Sequence, residues 1–166
     1  MSQSPTAFTM AAPTRFLPVL AEVLTSDIDP DRFADRLGTT INHPAFVLGH
    51  CAYYTGVCVT MLGGECNFDE EEASLYAMGA ECLDEADRYP TKDACIARFS
   101  ERCVFAAGFL ESCDPEVLER SAAGTPFEER FSTLGQVAAF MLMGHPSFHL
   151  GQISAWRRVA GMNSAT

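Results

Sequence analysis

The chain has 166 residues, a formal net charge of −11 at pH 7, and 48% hydrophobic residues. This length and apolar content suffice for a packed core and exclude a disordered tail, so we expect a single domain spanning residues 1–166. The acidic balance argues against binding to nucleic acid or to an anionic membrane, because both require a basic surface.

The seven cysteines do not form the pattern of a disulfide framework. Their number is odd, no Cys-x-x-Cys occurs, and several fall in apolar helical runs, where a free cysteine behaves as a small hydrophobe. The N-terminus has no basic region, and no apolar run approaches the roughly 20 residues that span a bilayer. We therefore predict a cytoplasmic protein without a membrane segment.

Apolar residues recur at helical spacing in four segments, which predicts four main helices at about residues 14–26, 45–62, 91–112 and 134–160. Residues 1–13 are either an irregular lead-in or a first helical piece. Pro18 is tolerable only near the start of the first helix, and Pro44 suits the first turn of the second. No strand-like alternation of useful length occurs, so the predicted fold is an all-α four-helix bundle with long connections.

The connections carry their own signals. Residues 27–40 predict a loop with one short turn, and residues 66–90 a long loop with a short helix near Glu72 to Met78. The acidic run Asp69 to Glu72 lacks the spacing of a calcium loop and predicts a solvated surface. Residues 116–132 predict a second polar connection, after which Thr133 and Gln136 form a capping box.

Two histidines, His145 and His149, lie four residues apart in the fourth helix and therefore share one face. Such a pair can hold one divalent ion but needs a further ligand. His50 lies inside the second helix among apolar residues, whereas His43 lies at its start beside Pro44. We favour His50 as the third ligand and leave the role of His43 open. Pro146, between the pair, predicts a kink.

The segments His43-Pro44-Ala45-Phe46-Val47-Leu48-Gly49-His50 and His145-Pro146-Ser147-Phe148-His149-Leu150-Gly151-Gln152 resemble the motifs W-x-L-G-H and H-x-x-x-H-x-G-Q. These motifs are typical of the DinB/YfiT-like superfamily of four-helix-bundle metalloproteins. Phe46 stands where the family often has Trp, and Pro146 is unusual inside the second motif. The resemblance covers the second and fourth helices, while the first and third match in length and order.

The resemblance implies a metal site formed by His50, His145 and His149, holding zinc or nickel with open coordination positions. It also implies an unidentified small-molecule substrate, a low-molecular-weight thiol as cofactor, and a homodimer. Family members with assigned activities are mostly thiol-dependent transferases and isomerases. No carboxylate lies beside the histidines in sequence, so no catalytic residue beyond the ligands is predicted.

Two functions follow from this pattern. The first is a metal-dependent enzyme, either a transferase that uses a thiol cofactor or a hydrolase. The second is a non-catalytic stress or binding protein of the same fold, in which the histidine cluster is structural or vestigial. Metal content together with pocket shape discriminates them. An ion with bound water at the bottom of an open cleft favours the enzyme, and a dry, plugged or metal-free site favours the binding protein.

Overall fold

The computed structural model describes residues 5–68 and 70–165, and all regular elements within them are helical. The helices are α1 Pro5–Thr25, α2 Pro44–Met61, α3 Glu70–Tyr76, α4 Lys92–Ser112, α5 Pro115–Glu119, α6 Leu134–Ala139 and α7 His145–Val159. A π-helical segment, Phe140–Gly144, joins α6 to α7, and single 3₁₀ turns occur at Pro30–Arg32 and Ala86–Arg88. Part of the predicted lead-in, residues 1–4, lies outside the described residues, as does Asp69.

Residues 14–25 are helical, as predicted, but helix α1 begins at Pro5, so the helical alternative holds for residues 5–13. Pro13 and Pro18 both lie inside the helix. Each interior proline costs a helix about 3 kcal/mol. Here a buried face along the whole helix offsets that cost through packing. This face consists of Ala7, Met10, Ala11, Thr14, Leu17, Ala21 and Thr25.

Because α1 has 21 residues, it is long and apolar enough to cross a membrane by length and composition alone. The sequence-based expectation that no apolar segment reaches this length is therefore not met. The difference arises from the earlier start of the helix, at Pro5. One third of the apolar window in α1 is buried against the rest of the protein.

The end of α2 and the start of α4 have local sequence signals. The Thr91 hydroxyl accepts a hydrogen bond from the Ala94 backbone N–H, at 3.3 Å, and begins α4. Gly63 follows α2 with a φ of 89°, which suits the left-handed conformation that ends many helices. All seven cysteines are free thiols, and Cys51, Cys58, Cys82, Cys95 and Cys103 are buried, in agreement with the prediction.

The polar connections contain more structure than predicted. Helix α5 was missed, although Asp114 caps it by accepting from the Glu116 N–H at 3.0 Å and Pro115 occupies its first turn. The prediction of a solvated acidic run was wrong for Glu72. Its side chain is buried and pairs with Arg98 at 3.2 Å and with Arg102 at 3.4 Å. Sequence alone did not reveal this because both arginines come from α4, about 30 residues later.

The segment from Leu134 to Val159 is helical throughout, as predicted, but Pro146 is accommodated in an unexpected way. The π-helical segment Phe140–Gly144 precedes the proline, which lies in the first turn of α7. Since Pro146 has no N–H, the Leu142 carbonyl loses its usual helical donor. The buried Thr14 hydroxyl of α1 approaches this carbonyl at 3.5 Å.

The helices form a closed ring of contacts in which α4 and α7 each contact both α1 and α2. Two buried clusters fill the interior. One includes Phe46, Phe99 and Trp156, and the other includes Leu62, Leu110 and Met141. Along the fourth helical stretch the second cluster reaches Leu142 and the first begins at Leu150. His145 and His149 lie between them.

His43 is fully buried and caps α2. Its Nδ1 accepts from the Phe46 N–H at 3.1 Å, so its Nε2 carries the proton and donates to the Leu83 carbonyl at 3.0 Å. The ring also contacts Tyr89 edge-on. Burial is the main reason that the pKa of His43 falls from 6.5 to about 4. A protonated ring has no lone pair for the Phe46 N–H, so the cap requires neutral His43.

We predict that His43 makes the metal-free protein sensitive to acid. Unfolded His43 binds a proton near pH 6.5 but folded His43 only near pH 4, so acid favours the unfolded state. Between pH 7 and about 4.5 this amounts to about 2.5 kcal/mol of unfolding free energy. Urea denaturation of wild type and His43→Asn, which keeps a capping acceptor, measures the difference. Equal losses of stability in the two proteins would contradict the assignment.

Candidate metal centre

Three of the four histidines meet at one point between α2 and α7. One ring nitrogen from each of His50, His145 and His149 lies within 4.8 Å of the corresponding nitrogens of the other two. The ring centroid of His50 lies 5.0 Å from that of His145 and 4.5 Å from that of His149. The sequence predicted this set of residues, and the structure brings them together. His43 lies apart from them in its capping position.

The orientation of His50 is set by helix α3. Its Nδ1 lies 2.9 Å from the Tyr76 backbone carbonyl, and because a carbonyl can only accept, Nδ1 carries the proton. The unprotonated Nε2 therefore faces the cluster, where it lies 3.1 Å from Nε2 of His145. A backbone carbonyl behind a metal-binding histidine commonly fixes the tautomer in this way.

His145 and His149 each leave a polar atom without a partner. The Nδ1 atoms of both rings are buried and make no hydrogen bond among the described residues. An unsatisfied buried nitrogen costs about 1–3 kcal/mol. The Gln152 side chain bonds the His149 ring, and Asn42 donates to the Gln152 amide oxygen at 3.0 Å. Gln152 thus links the start of α2 to the cluster.

All three rings are neutral at physiological pH. Burial is the largest cause for each, and it lowers the pKa of His50 to about 4 and that of His145 to about 3. Burial also lowers the pKa of His149, although its bond to Gln152 acts in the opposite direction. Since a proton and a metal ion compete for the same lone pair, neutral rings favour metal binding.

The donor set fits a divalent transition-metal ion. Imidazole nitrogens bind zinc at about 2.0–2.1 Å, so two ligands of one tetrahedral ion lie about 3.3 Å apart. The observed 3.1 Å between the Nε2 atoms of His50 and His145 is close to that separation. Three protein ligands leave one position of a tetrahedron open, which is the pattern of catalytic rather than structural zinc sites.

The three histidines line a cleft of about 650 Å³. Tyr54 and Phe140 form its aromatic walls next to the histidines, and their rings lie 5.4 Å and 6.0 Å from that of His145. Two connections, around Met78–Gly79 and Thr125–Arg130, complete the cleft. The cleft is therefore large enough for a small organic molecule to reach the histidines.

Several residues besides the histidines line the cleft. The sequence favours a core position for Tyr54, four residues after His50, with a place in the pocket as the alternative. The structure places Tyr54 at the cleft, and burial raises the pKa of its phenol. Glu128, Glu129 and Arg130 bring charges to the cleft although the sequence places them at least 15 residues from any histidine. Only the return of the second long connection over α7 places them there. Trp156 was predicted to be a core or interface residue and is fully buried.

The two glycines beside the ligands differ in their surroundings. A Cβ on Gly49 would lie 2.1 Å from Cζ of Tyr76, so this glycine makes room for the Tyr76 ring. A Cβ on Gly151 would meet nothing within 4 Å. Gly49 therefore supports the helix α3 contact that orients His50, whereas Gly151 has no such role within the chain.

Searches against protein-family models, curated proteins and solved structures found no match to this chain.

We predict opposite effects for alanine at these two glycines. Gly49→Ala displaces Tyr76 and its carbonyl, and should destabilise the protein and weaken zinc binding about 10–100-fold. Gly151→Ala, the matched control, should stabilise the protein by up to about 1 kcal/mol and leave zinc affinity unchanged. Thermal denaturation and zinc titration measure both quantities. Equal zinc affinity in Gly49→Ala and wild type would show that Tyr76 does not orient His50.

Proposed function

We propose that this chain is an enzyme dependent on one divalent metal ion, held by His50, His145 and His149, which acts on a small molecule. The observation that carries this proposal is the convergence of three neutral imidazoles that line an open cleft. Such an ion, when bound, supplies a positive charge that lowers the pKa of a thiol or water beside it.

The residues around the histidines suit a binding site for a small organic substrate. The rings of Tyr54 and Phe140 provide apolar surface and exclude water from the histidines. Because the pKa of Tyr54 is raised, its phenol keeps its proton and can donate a hydrogen bond to a substrate. Arg130 offers a guanidinium at the exposed wall for an anionic group.

A thiol-dependent transferase is the reaction class that we favour, and a hydrolase is the alternative. Because the three imidazoles are neutral, they do not offset the positive charge of a divalent ion. The ion therefore favours a negatively charged thiolate as its next ligand. The apolar walls also suit a thiol-bearing cofactor with its substrate. The open cleft supports an enzyme over the non-catalytic binding protein as far as pocket shape is concerned, and metal content is the second part of that distinction.

We further propose that the chain is a DinB/YfiT-like four-helix bundle. The ring of contacts among α1, α4, α2 and α7 supports this fold, as do the motif histidines on α2 and α7. The zinc or nickel ion and the homodimer remain part of the same proposal, because they follow from the resemblance. The cytoplasmic location is also a proposal, and it rests on the pattern of free cysteines.

We predict about one zinc or nickel ion per chain in purified, untagged protein, measured by plasma mass spectrometry. His149→Ala removes one ligand and should abolish the bound metal. His43→Asn is the matched control, since it changes a buried histidine outside the cluster, and should keep the metal. Circular dichroism checks that each variant is folded. Metal-free wild type after dialysis against zinc and nickel would refute the proposal.

We also predict that the zinc-loaded protein binds 2-mercaptoethanol at least about tenfold more tightly than ethylene glycol, its hydroxyl analogue. The reason is the preference of zinc for thiolate over neutral oxygen ligands. Isothermal titration calorimetry measures both affinities, with His149→Ala as the control that should bind neither. Equal binding of the two compounds to zinc-loaded wild type would favour the hydrolase alternative.

A further inference from the structure

A second pocket, separate from the cleft above the histidines, lies on the side of Tyr76 that faces α4. It has a volume of about 330 Å³, within the range of small-molecule sites. Its interior is mainly apolar and is formed by Leu75, Tyr76, Tyr89, Pro90 and Ala94. We call it the Tyr76 pocket. The sequence reasoning did not predict it, because its walls come from α3, α4 and the loop between them.

One residue that lines the Tyr76 pocket carries a polar group without a partner. The Tyr76 side chain lies over Gly49, and its buried hydroxyl makes no hydrogen bond among the described residues. This hydroxyl is therefore an unsatisfied hydrogen-bonding group beside the mainly apolar walls of the pocket.

The rim of the Tyr76 pocket carries both signs of charge. Glu71 and Asp87 supply carboxylates, and neither makes an ion pair among the residues that the structure describes. Arg88 and Arg98 supply guanidinium groups. Arg98 contacts Glu72 through one nitrogen, while Arg88 lies 3.9 Å from the exposed Glu85, so both retain free donors.

We propose that the Tyr76 pocket binds a small zwitterion with an apolar side chain, of the α-amino-acid class. The apolar side chain enters the pocket, where its burial contributes about 25 cal/mol per Å². The ammonium group faces Glu71 and Asp87, and the carboxylate faces Arg88 and Arg98. A simple cation or a simple anion satisfies only half of this rim and leaves the other charges unpaired.

This site needs no metal, since the residues of the Tyr76 pocket do not include the three histidines. It can therefore be tested on metal-free protein, and its success or failure does not depend on the proposed enzyme function. L-Phenylalanine is the probe, with 3-phenylpropionate and 2-phenylethylamine as analogues that lack the ammonium group and the carboxylate respectively.

Isothermal titration calorimetry of the metal-free protein should show one site for L-phenylalanine, and binding of each analogue at least about tenfold weaker. An analogue that binds as well as phenylalanine would overturn the assignment of a zwitterion. No heat of binding for phenylalanine at millimolar concentration would overturn the site itself. Hydrogen exchange with and without phenylalanine is the second measurement, and a lack of protection of α3 by the ligand would also overturn the site.

Two matched variants locate the site. Ala94 and Ala97 are both exposed residues of α4, but only Ala94 lines the pocket. Ala94→Leu places a larger side chain in the pocket and should weaken phenylalanine binding at least about tenfold. Ala97→Leu should change the affinity for phenylalanine by less than about twofold. Equal effects of the two variants would place the ligand elsewhere and overturn the proposal, and thermal denaturation confirms that both proteins are folded.

Discussion

The hydrogen bond from His50 Nδ1 to the Tyr76 carbonyl is the contact on which the architecture of the site depends. It directs Nε2 of His50 towards His145 and so turns three nearby imidazoles into a cluster with a common focus. The contact requires α3 to lie beside α2, which in turn requires Gly49, because any side chain there would collide with the Tyr76 ring. A connection between two long helices is therefore part of the site.

Burial of the three imidazoles has a cost that packing alone does not explain. Each imidazole in the cluster is held neutral, and the Nδ1 atoms of His145 and His149 have no hydrogen-bond partner in the described chain. Apolar side chains of similar volume would fill the space without such unpartnered nitrogens. The nitrogens that face one another, among them Nε2 of His50 and His145, instead form a donor set for an ion. His43 is the contrast, because both of its nitrogens are satisfied by the backbone.

Tyr76 serves two cavities at once. Its backbone carbonyl orients His50 on the side of the histidine cleft, while its side chain lines the Tyr76 pocket. On the α7 side of the cluster, a π-helical segment ends directly before His145, and Pro146 follows in the first turn of α7. π-Helical turns inside helices are frequent at functional sites.

The sequence by itself determined the all-helical class, the bounds of α2 and α4, and the three histidines, because these features rest on local periodicity, caps and spacing. His145 and His149 could be paired from a four-residue separation, and His50 could be preferred over His43 from its place inside an apolar helix. The family, the metal and the activity stay predictions.

Only the tertiary structure decided the features that depend on contacts between distant segments. The early start of α1 arises from packing that outweighs two prolines, the burial of Glu72 arises from arginines on another helix, and the cleft wall at Glu128–Arg130 arises from the path of a long connection. Tyr76 carried no signal in the sequence, because its role rests on a carbonyl and on an absent Cβ at Gly49. Local patterns report which side chains share a helix face, whereas the partners of that face depend on how the whole chain folds.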